Sequence, residues 1–502
     1  MSAPSPSSLS PARQRVLLAA VVSGLLLAML DQTIVGTALP QIVGALDGGS
    51  LYVWVVTAYL VPATVTLPIY ARLSDRHGRR ALLLAGMALF LVGSALAGAA
   101  QDMGQLIAAR GVQGAGAGAL ESLSFILVAD LYGGQRNARL QGVLAGLMAF
   151  AFIAGPLTGG LITDHLGWRA CFYVNVPIGL AALVAIAAVL PAAVGRTERA
   201  GARLDVAGIG LLTAAVGLLL VGLNEKAHAA AGGSLPGWAE PQTGGLMLAG
   251  LVLLAGFVAV ERRAESPIVP LRLVTDRRVG AIFAAGATAT FALFAGVLLL
   301  PRYFQLVRDV SATHSGVLIY PLLLGLVIAV NVAAPIVVAR LEFRTPVLAG
   351  MGLVVLGAIG FGTFGAGTPD WQSLIFMGLL GVGVGPALSG LQIALQRSVK
   401  PADIGAAMGT LLLLRQVGGA LALAAAQTIY VARLGGAGPQ DHAAAASATG
   451  TGVLVVALAG AVLASVALLS LPRGASRLPA LPVAPAATAP PGATAPRARA
   501  AA

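Results

Sequence analysis

The sequence predicts an all-α polytopic membrane protein with fourteen membrane-spanning helices. Of the 502 residues, 58% are hydrophobic and 10% are charged, whereas a soluble domain carries about a quarter charged residues. The apolar residues are also collected in long blocks, many of which reach the roughly 20 residues that a helix needs to cross a bilayer. The basic residues lie between these blocks, as expected of a membrane topology signal.

Fourteen apolar blocks are assigned as spans, in chain order 16–38, 51–71, 81–100, 106–128, 140–162, 171–190, 205–223, 244–260, 279–300, 314–337, 346–364, 372–395, 405–431 and 452–471. Basic stretches follow the sixth and the eighth span and divide the helices into groups of six, two and six. The predicted domains are therefore a disordered N-terminal tail (1–15), an N-terminal six-helix bundle (16–195), a two-helix central insert (196–275), a C-terminal six-helix bundle (276–472) and a disordered Ala/Pro-rich tail (473–502).

The placement of Lys and Arg orients the chain with both termini in the cytoplasm. In this orientation about 24 basic residues face the cytoplasm and about five face outward, namely Arg169, Lys226, Arg302, Arg308 and Arg433. An excess of this size is typical of the positive-inside rule. An odd number of spans would destroy the agreement, so the charge pattern supports the segmentation.

Two spans repeat a glycine pattern. The fourth span contains Gly114-Ala-Gly116-Ala-Gly118, and the twelfth contains Gly381-Val-Gly383-Val-Gly385. Such repeats favour two related halves, as in many transporters. The repeat does not extend to charge, because Met377 and Leu388 stand where the fourth span has Arg110 and Glu121.

Four charged residues fall inside spans, where a charge is costly and indicates function by default. They are Asp31, Arg110, Glu121 and Arg415. Asp31 and Arg110 lie at similar predicted depths, so they can pair if their helices touch. Arg110 and Glu121 are eleven residues apart, almost three helical turns, which places them on one helix face about 16 Å apart.

These charges predict a site for protons or a cationic substrate. A carboxylate that alternates between a dry cavity and an arginine partner can load and release a proton as the protein changes conformation. Asp31, Arg110 and Glu121 are the candidates for this coupling, and Gln113, Arg415 and Gln416 are further candidates for the cavity wall. The alternative is a static ion pair that holds two helices together.

Two further segments carry candidate roles. In the fifth span small residues recur every four or five positions, which predicts either a moving seam or ordinary tight packing; they are Gly142, Gly155, Pro156, Gly159 and Gly160. The short loop after the second span is densely charged and predicts either a cytoplasmic gate, in which Asp75 caps a helix, or a simple topology signal. The gate candidates are Asp75, Arg76, Gly78, Arg79 and Arg80.

Taken together, these segments resemble the major facilitator superfamily, and in particular its fourteen-helix drug:proton antiporter branch. The matching motifs are Leu30-Asp31-Gln32-Thr33-Ile34-Val35 with Ala38-Leu39-Pro40, Asp75-Arg76-His77-Gly78-Arg79-Arg80, the set Leu106, Arg110, Gln113, Gly114 and Gly116, the set Gly142, Gly155-Pro156 and Gly159-Gly160, and Trp168-Arg169 with Asn175-Val176-Pro177-Ile178-Gly179. Two small substitutions depart from the branch, with Ala71 and Ala151 in place of glycines.

The resemblance implies export of small amphipathic drugs in exchange for protons across a bacterial cytoplasmic membrane, by rocker-switch alternating access. It also implies that Arg110 takes part in proton transfer, that no cofactor is needed and that the protein is a monomer in contact with membrane lipid. The C-terminal six spans contain no acid, which argues against dicationic substrates. An exporter of a lipid, a siderophore or a self-made natural product would share the same features.

Other classes of function are not supported by the sequence. An intramembrane enzyme needs a catalytic constellation or a metal cluster, but the five histidines stand at span ends or in loops and Cys171 is the single cysteine. No catalytic and no metal-binding residues are therefore assigned. A non-transporting sensor would carry a soluble signalling domain, and nucleic-acid binding would need a basic patch outside the membrane pattern.

Overall fold

The computed structural model describes residues 10–48, 51–131, 150–151, 153–191, 205–231, 240–264, 269, 271–340, 342–400, 403–435, 441–472, 474 and 476–477. These residues are almost entirely helical. Within them the β-structure amounts to an isolated antiparallel bridge between Glu342 and Arg477. The predicted all-α fold class is confirmed.

The helices of the N-terminal half are α1 (Pro11–Ala45), α2 (Trp54–His77), α3 (Arg79–Ala99), α4 (Met103–Leu131), α5 (153–166), α6 (Ala170–Tyr173) and α7 (Asn175–Val189). The central pair is α8 (Val206–Ala231) and α9 (Leu246–Glu261), with a π-helical turn over Pro241–Gly245 before α9. The C-terminal half contains α10 (Leu271–Val274), α11 (Arg277–Ala289), α12 (Phe291–Leu306), α13 (Ala312–Leu318), α14 (Tyr320–Arg340), α15 (Arg344–Phe361), α16 (Asp370–Ser398), α17 (Ile404–Leu434) and α18 (His442–Leu469).

Eleven helical segments in the described residues are long and apolar enough to cross a membrane. The shorter apolar stretches Trp54–Leu67 and Ala207–Leu223 coincide with the predicted second and seventh spans. Much of the predicted fifth span lies outside the described residues. The chain is thus a multi-pass membrane protein, and the number fourteen stays a prediction.

Helix α1 begins before the predicted end of the N-terminal tail. Helix α1 begins at Pro11, with the Ser10 side chain accepting a hydrogen bond from the Arg13 amide, so residues 11–15 are helical although they were predicted to belong to the disordered tail. Proline suits the first helical position because its missing N–H would have no helical acceptor there. Residues 1–9 and 478–502 lie outside the described residues.

The repeated glycines of α4 and α16 make equivalent contacts, each within its own half of the molecule. Gly116 of α4 packs against the backbone of α3 at Phe90, and Gly383 of α16 packs against the backbone of α15 at Gly350. The neighbouring glycines of each repeat pack against α2 and α14, respectively. Each repeat therefore lets one central helix approach two partners closely, as small residues do in membrane bundles.

The central pair lies beside the boundary between the halves. Helices α8 and α9 pack on each other, and α8 also contacts α2 of the N-terminal half and α17 of the C-terminal half. A small apolar core joins them, with Leu212, Val216 and Leu220 of α8 packed with Ala420 and Ala424 of α17. The Thr428 hydroxyl of α17 also donates a hydrogen bond to the carbonyl of Leu223, at 3.1 Å.

Candidate functional site

A fully buried polar cluster surrounds Asp31 inside the N-terminal half. The Asp31 carboxylate on α1 has no exposed surface and forms an ion pair with Arg110 on α4. It also accepts hydrogen bonds from Gln113 Nε2 at 2.8 Å and from Asn175 Nδ2 at 2.9 Å. Asn175 on α7 is in turn 3.0 Å from the Ser94 hydroxyl of α3. Three helices thus meet at one carboxylate, α3 joins them through Asn175, and the contact of Asp31 with Arg110 is present.

The Arg110 guanidinium is enclosed as completely as its partner. Its exposed fraction is 1%, its Nε donates to the carbonyl of Val55 at 3.1 Å and its Nη1 donates to Gln113 Oε1 at 2.7 Å. The guanidinium carbon lies 4.2 Å from the centre of the Tyr59 ring, within cation–π range. A buried charge with this many partners is stabilised only while the surrounding helices keep their arrangement.

Glu121 forms a separate site deeper along α4. Its exposed fraction is 5%, and Gln32 Nε2 donates a hydrogen bond to its Oε1 at 3.2 Å. The eleven residues between Arg110 and Glu121 correspond to about 16 Å of helix, so one arginine cannot serve both acids at once. Among the described residues no Lys or Arg forms an ion pair with Glu121.

Arg415 contacts the backbone of a neighbouring helix. Its Nη2 donates to the carbonyl of Leu388 at 2.9 Å and to that of Ala387 at 3.3 Å, both on α16 directly after Pro386. This geometry fits a role in packing α17 against α16. Gln416 beside it is partly buried, and its side chain forms no hydrogen bond with another described residue.

The basic loop after the second span connects helix ends. Arg79 donates to the carbonyl of Ile126 at 3.3 Å and Arg80 to that of Ala187 at 2.5 Å, near the C-terminal ends of α4 and α7. The contact of Arg80 is favourable because Ala187 belongs to the last turn of α7, where the carbonyls lack helical partners and carry partial negative charge.

The predicted cap by Asp75 does not fit the helix boundaries. Gly78, in a positive-φ conformation (φ 89°), takes the N-cap position of α3. Asp75 instead lies in the last turn of α2, which ends at His77. The side chains of Asp75 and Arg76 lie outside the described residues, so the predicted gate pairing stays a prediction.

The small-residue face of α5 contacts both halves. Gly155 and Gly159 are pressed against Thr33 and Ile34 of α1, whereas Gly160 is pressed against the backbone of Thr313 in the C-terminal half. The carbonyl of Pro156 is equally close to Gly316 of α13. Gly142 lies outside the described residues. Helix α5 therefore lies at the boundary that has to move if the halves rock.

Several polar contacts join the two halves at the end that is predicted to face outward. Gln305 Nε2 donates to the carbonyl of Thr37 at 2.9 Å. The Asp164 carboxylate accepts from the backbone amides of Ala312 at 3.1 Å and Thr313 at 2.7 Å, at the start of α13. These contacts hold the two halves together at this end, which is closed in the structure.

Arg302 was counted among the outward-facing residues beyond the predicted span 279–300, but the helix continues past it to Leu306. It lies in the last turns of α12 with 8% of its surface exposed. Asn175 and Ser94 are two further members of the Asp31 cluster, and neither was predicted as a site residue. No group of three or more His, Cys, Asp or Glu among the described residues could hold a metal ion.

Comparison with known proteins places this geometry among transporters. The model of a family described as Major Facilitator Superfamily matches residues 21–423. The chain is 32% identical over 419 residues to the multidrug transporter protein MdtP of Bacillus subtilis, covering 83% of this chain and 76% of the relative. It is 32% identical over 404 residues to multidrug resistance protein 3 of the same organism, covering 79% and 75%.

A solved structure shows the same fold at low sequence identity. The crystal structure of a bacterial homologue of the human lysosomal transporter Spinster, in an inward-facing and unoccupied conformation, matches with a TM-score of 0.63. The sequences are 14% identical, and the match covers 92% of this chain and 96% of that one.

Proposed function

This chain belongs to the Major Facilitator Superfamily, and on that premise we propose that it exports small amphipathic molecules in exchange for protons. Membership makes it a membrane transporter of small molecules and not an enzyme. Export is supported by the two Bacillus subtilis relatives, whose names describe multidrug transport and multidrug resistance. The proposed location is a bacterial cytoplasmic membrane with both termini inside, which the Lys and Arg distribution favours.

The observation that carries proton coupling is the buried ion pair of Asp31 with Arg110. The two residues belong to different helices and are almost completely enclosed. A buried pair contributes little net stability compared with an apolar replacement, because both charges lose their hydration. A transporter that retains such a pair has a use for it other than stability, and reversible protonation of the carboxylate is the chemistry that the pair offers.

The exchange follows from the partners of Asp31. While the carboxylate is ionised, Arg110, Gln113 and Asn175 all donate to it. A proton arriving from the outer side removes the charge that holds Arg110, so the helices that carry these groups lose their strongest mutual contact. Release of the proton to the cytoplasm restores the pair. Glu121 provides a second acid, to which a cationic substrate can bind while Asp31 carries the proton.

The test is substrate-driven proton movement in proteoliposomes with an entrapped pH-sensitive dye. Ethidium and tetraphenylphosphonium serve as cationic probes and norfloxacin as a zwitterionic one. We expect wild type to move protons with at least one probe and Asp31→Asn to reduce this movement at least tenfold. The matched control is Asp102→Asn, which changes an exposed acid that bonds to Gln105 and should behave as wild type.

Each outcome has a distinct meaning. Equal proton movement in wild type and Asp31→Asn would reject Asp31 as the carrier and make Glu121 the residue to change next. Substrate movement that does not depend on a proton gradient would reject antiport altogether. A wild-type protein that ignores all three probes would reject drug export and favour a lipid, a siderophore or a natural product as cargo.

A further inference from the structure

A second buried arginine, Arg302, lies in the closed end of the molecule between two tyrosine rings. Its guanidinium carbon is 4.2 Å from the centre of the Tyr430 ring and 4.8 Å from that of the Tyr52 ring. Both tyrosines are almost fully buried, with 1% of their surface exposed. The stacking is of the kind that stabilises a cation in a partly dry site.

No carboxylate in the described residues compensates this charge. Arg302 Nη1 donates to Gln427 Oε1 at 3.3 Å, whereas Arg302 Nε and Gln427 Nε2 are buried without a hydrogen-bond partner. None of the ion pairs among the described residues includes Arg302. Its environment therefore differs from that of Arg110, since the positive charge of Arg302 is not cancelled and acts on its surroundings.

The position of the charge is at the boundary between the halves. Tyr52 precedes α2 in the N-terminal half, whereas Arg302, Gln427 and Tyr430 belong to α12 and α17 of the C-terminal half. The Tyr52 hydroxyl donates to the carbonyl of Leu298, 3.4 Å away on α12. The guanidinium therefore lies within the contact that has to open when the pathway opens on this side.

We propose that Arg302 is an electrostatic seal, which keeps protons from crossing the closed end of the transport pathway. Packing excludes bulky molecules from such a closure, but thin files of water can still carry protons. A fixed positive charge repels protons from the constriction, as arginines do in water-selective pores. At an effective dielectric constant of about 20, a unit charge roughly 5 Å away lowers the local proton concentration on the order of a hundredfold.

The seal is needed because of the function proposed above, although it is a different property of the protein. An antiporter that leaks protons through its closed side loses the gradient that drives export. The Asp31 cluster decides whether a proton is exchanged for substrate, whereas Arg302 decides whether protons pass without substrate. The two roles can be measured separately, because a leak needs no substrate.

The test measures passive proton entry into proteoliposomes, under a potassium diffusion potential and without any added substrate. We expect Arg302→Met, which removes the charge and keeps much of the volume, to raise the leak at least tenfold. Arg302→Lys keeps the charge and should stay within twofold of wild type. The matched control is Arg308→Gln, because Arg308 lies near the same end but is paired with Asp370 within the C-terminal half, at 2.8 Å.

Arg302→Gln is a second uncharged variant, in case Arg302→Met does not yield folded protein. Monodisperse elution and an unchanged melting temperature are required of every variant. A leak as low as wild type in both uncharged variants would overturn the seal. A leak that rises as much in Arg302→Lys would overturn the role of charge and leave shape as the cause. Repeating the comparison in the Asp31→Asn background separates the two proposals. The leak does not depend on Asp31, so Arg302→Met should raise it in that background as well.

Discussion

Replacing Arg110 should destabilise the protein more than replacing its ion-pair partner Asp31. Arg110→Met leaves a buried carboxylate with two neutral amide donors, Gln113 and Asn175. Removal of one partner from a buried ion pair costs about 3–5 kcal/mol. We therefore expect Arg110→Met to reduce the free energy of unfolding by about this amount.

The reverse change should be milder. In Asp31→Asn the arginine keeps the Val55 carbonyl, Gln113 Oε1 and the Tyr59 ring, and the new amide oxygen can still accept a hydrogen bond. Hydrogen bonds to charged groups contribute about 1.5–3 kcal/mol, and the loss should fall in this range. In the double variant neither charge is left unpaired, so its loss of stability should be smaller than the sum of the two single losses by about 0.5–3 kcal/mol.

The assay is reversible unfolding of the four proteins in the same detergent at pH 8, where protonation of an isolated carboxylate is least favoured. Additivity within about 0.5 kcal/mol would refute the reasoning, because it would mean that the two charges do not interact in the folded state. Equal losses in the two single variants would leave the pair intact but refute the proposed difference between the environments of its two ends.

Two further predictions concern the boundary between the halves. A methyl group on Gly155 would collide with Thr33, so Gly155→Ala should destabilise the protein by about 1–3 kcal/mol, measured by thermal unfolding. The control is Gly210→Ala, which should not destabilise it because Gly210 has open space around it. Equal melting temperatures of the two variants would contradict tight packing of α5 on α1. Partial burial favours a higher pKa for Asp164, but hydrogen bonds from Thr313 and Ala312 outweigh it and hold the pKa below its ordinary value. A lowered pKa stabilises the closed end above the unfolded value of about 4 and loses that contribution as the pH falls through the folded value. Spin labels across this closure should separate with acid in wild type, and a similar separation in Asp164→Asn would refute the assignment.

The sequence predicted the features of this fold that depend on hydropathy and helical spacing. Apolar blocks of adequate length correspond to helices throughout the described residues. The matched depths of Asp31 and Arg110 predicted that they can pair if their helices touch, because both residues lie inside long helices with a regular rise. Helices α1 and α4 do touch. The glycine repeat favoured two related halves, and each repeat makes equivalent close contacts within its own half.

The features that the sequence missed depend on how helices end and rotate. The ninth span was predicted to end at residue 300, before Pro301 and Arg302, but α12 continues to Leu306. Proline is tolerated inside membrane helices because neighbouring groups satisfy the freed carbonyl. Asn175 begins α7, and only the packing of α7 on α1 and α3 directs its amide to Asp31. Neither the hydropathy pattern nor the residue spacing predicts how α7 is rotated about its axis.

The buried acids proposed for coupling and two of the intramembrane arginines lie in different halves of the molecule. The two buried acids proposed for coupling, Asp31 and Glu121, belong to the N-terminal half. In the C-terminal half Arg302 and Arg415 are paired with no carboxylate among the described residues. In the proposed antiport a proton binds to an acid of the first half, and the uncancelled charges of the second half repel it. Protonation therefore changes the attraction between one half and a fixed positive field in the other. Such a change differs in energy between the two conformations, which is the requirement for coupling a proton to a conformational switch.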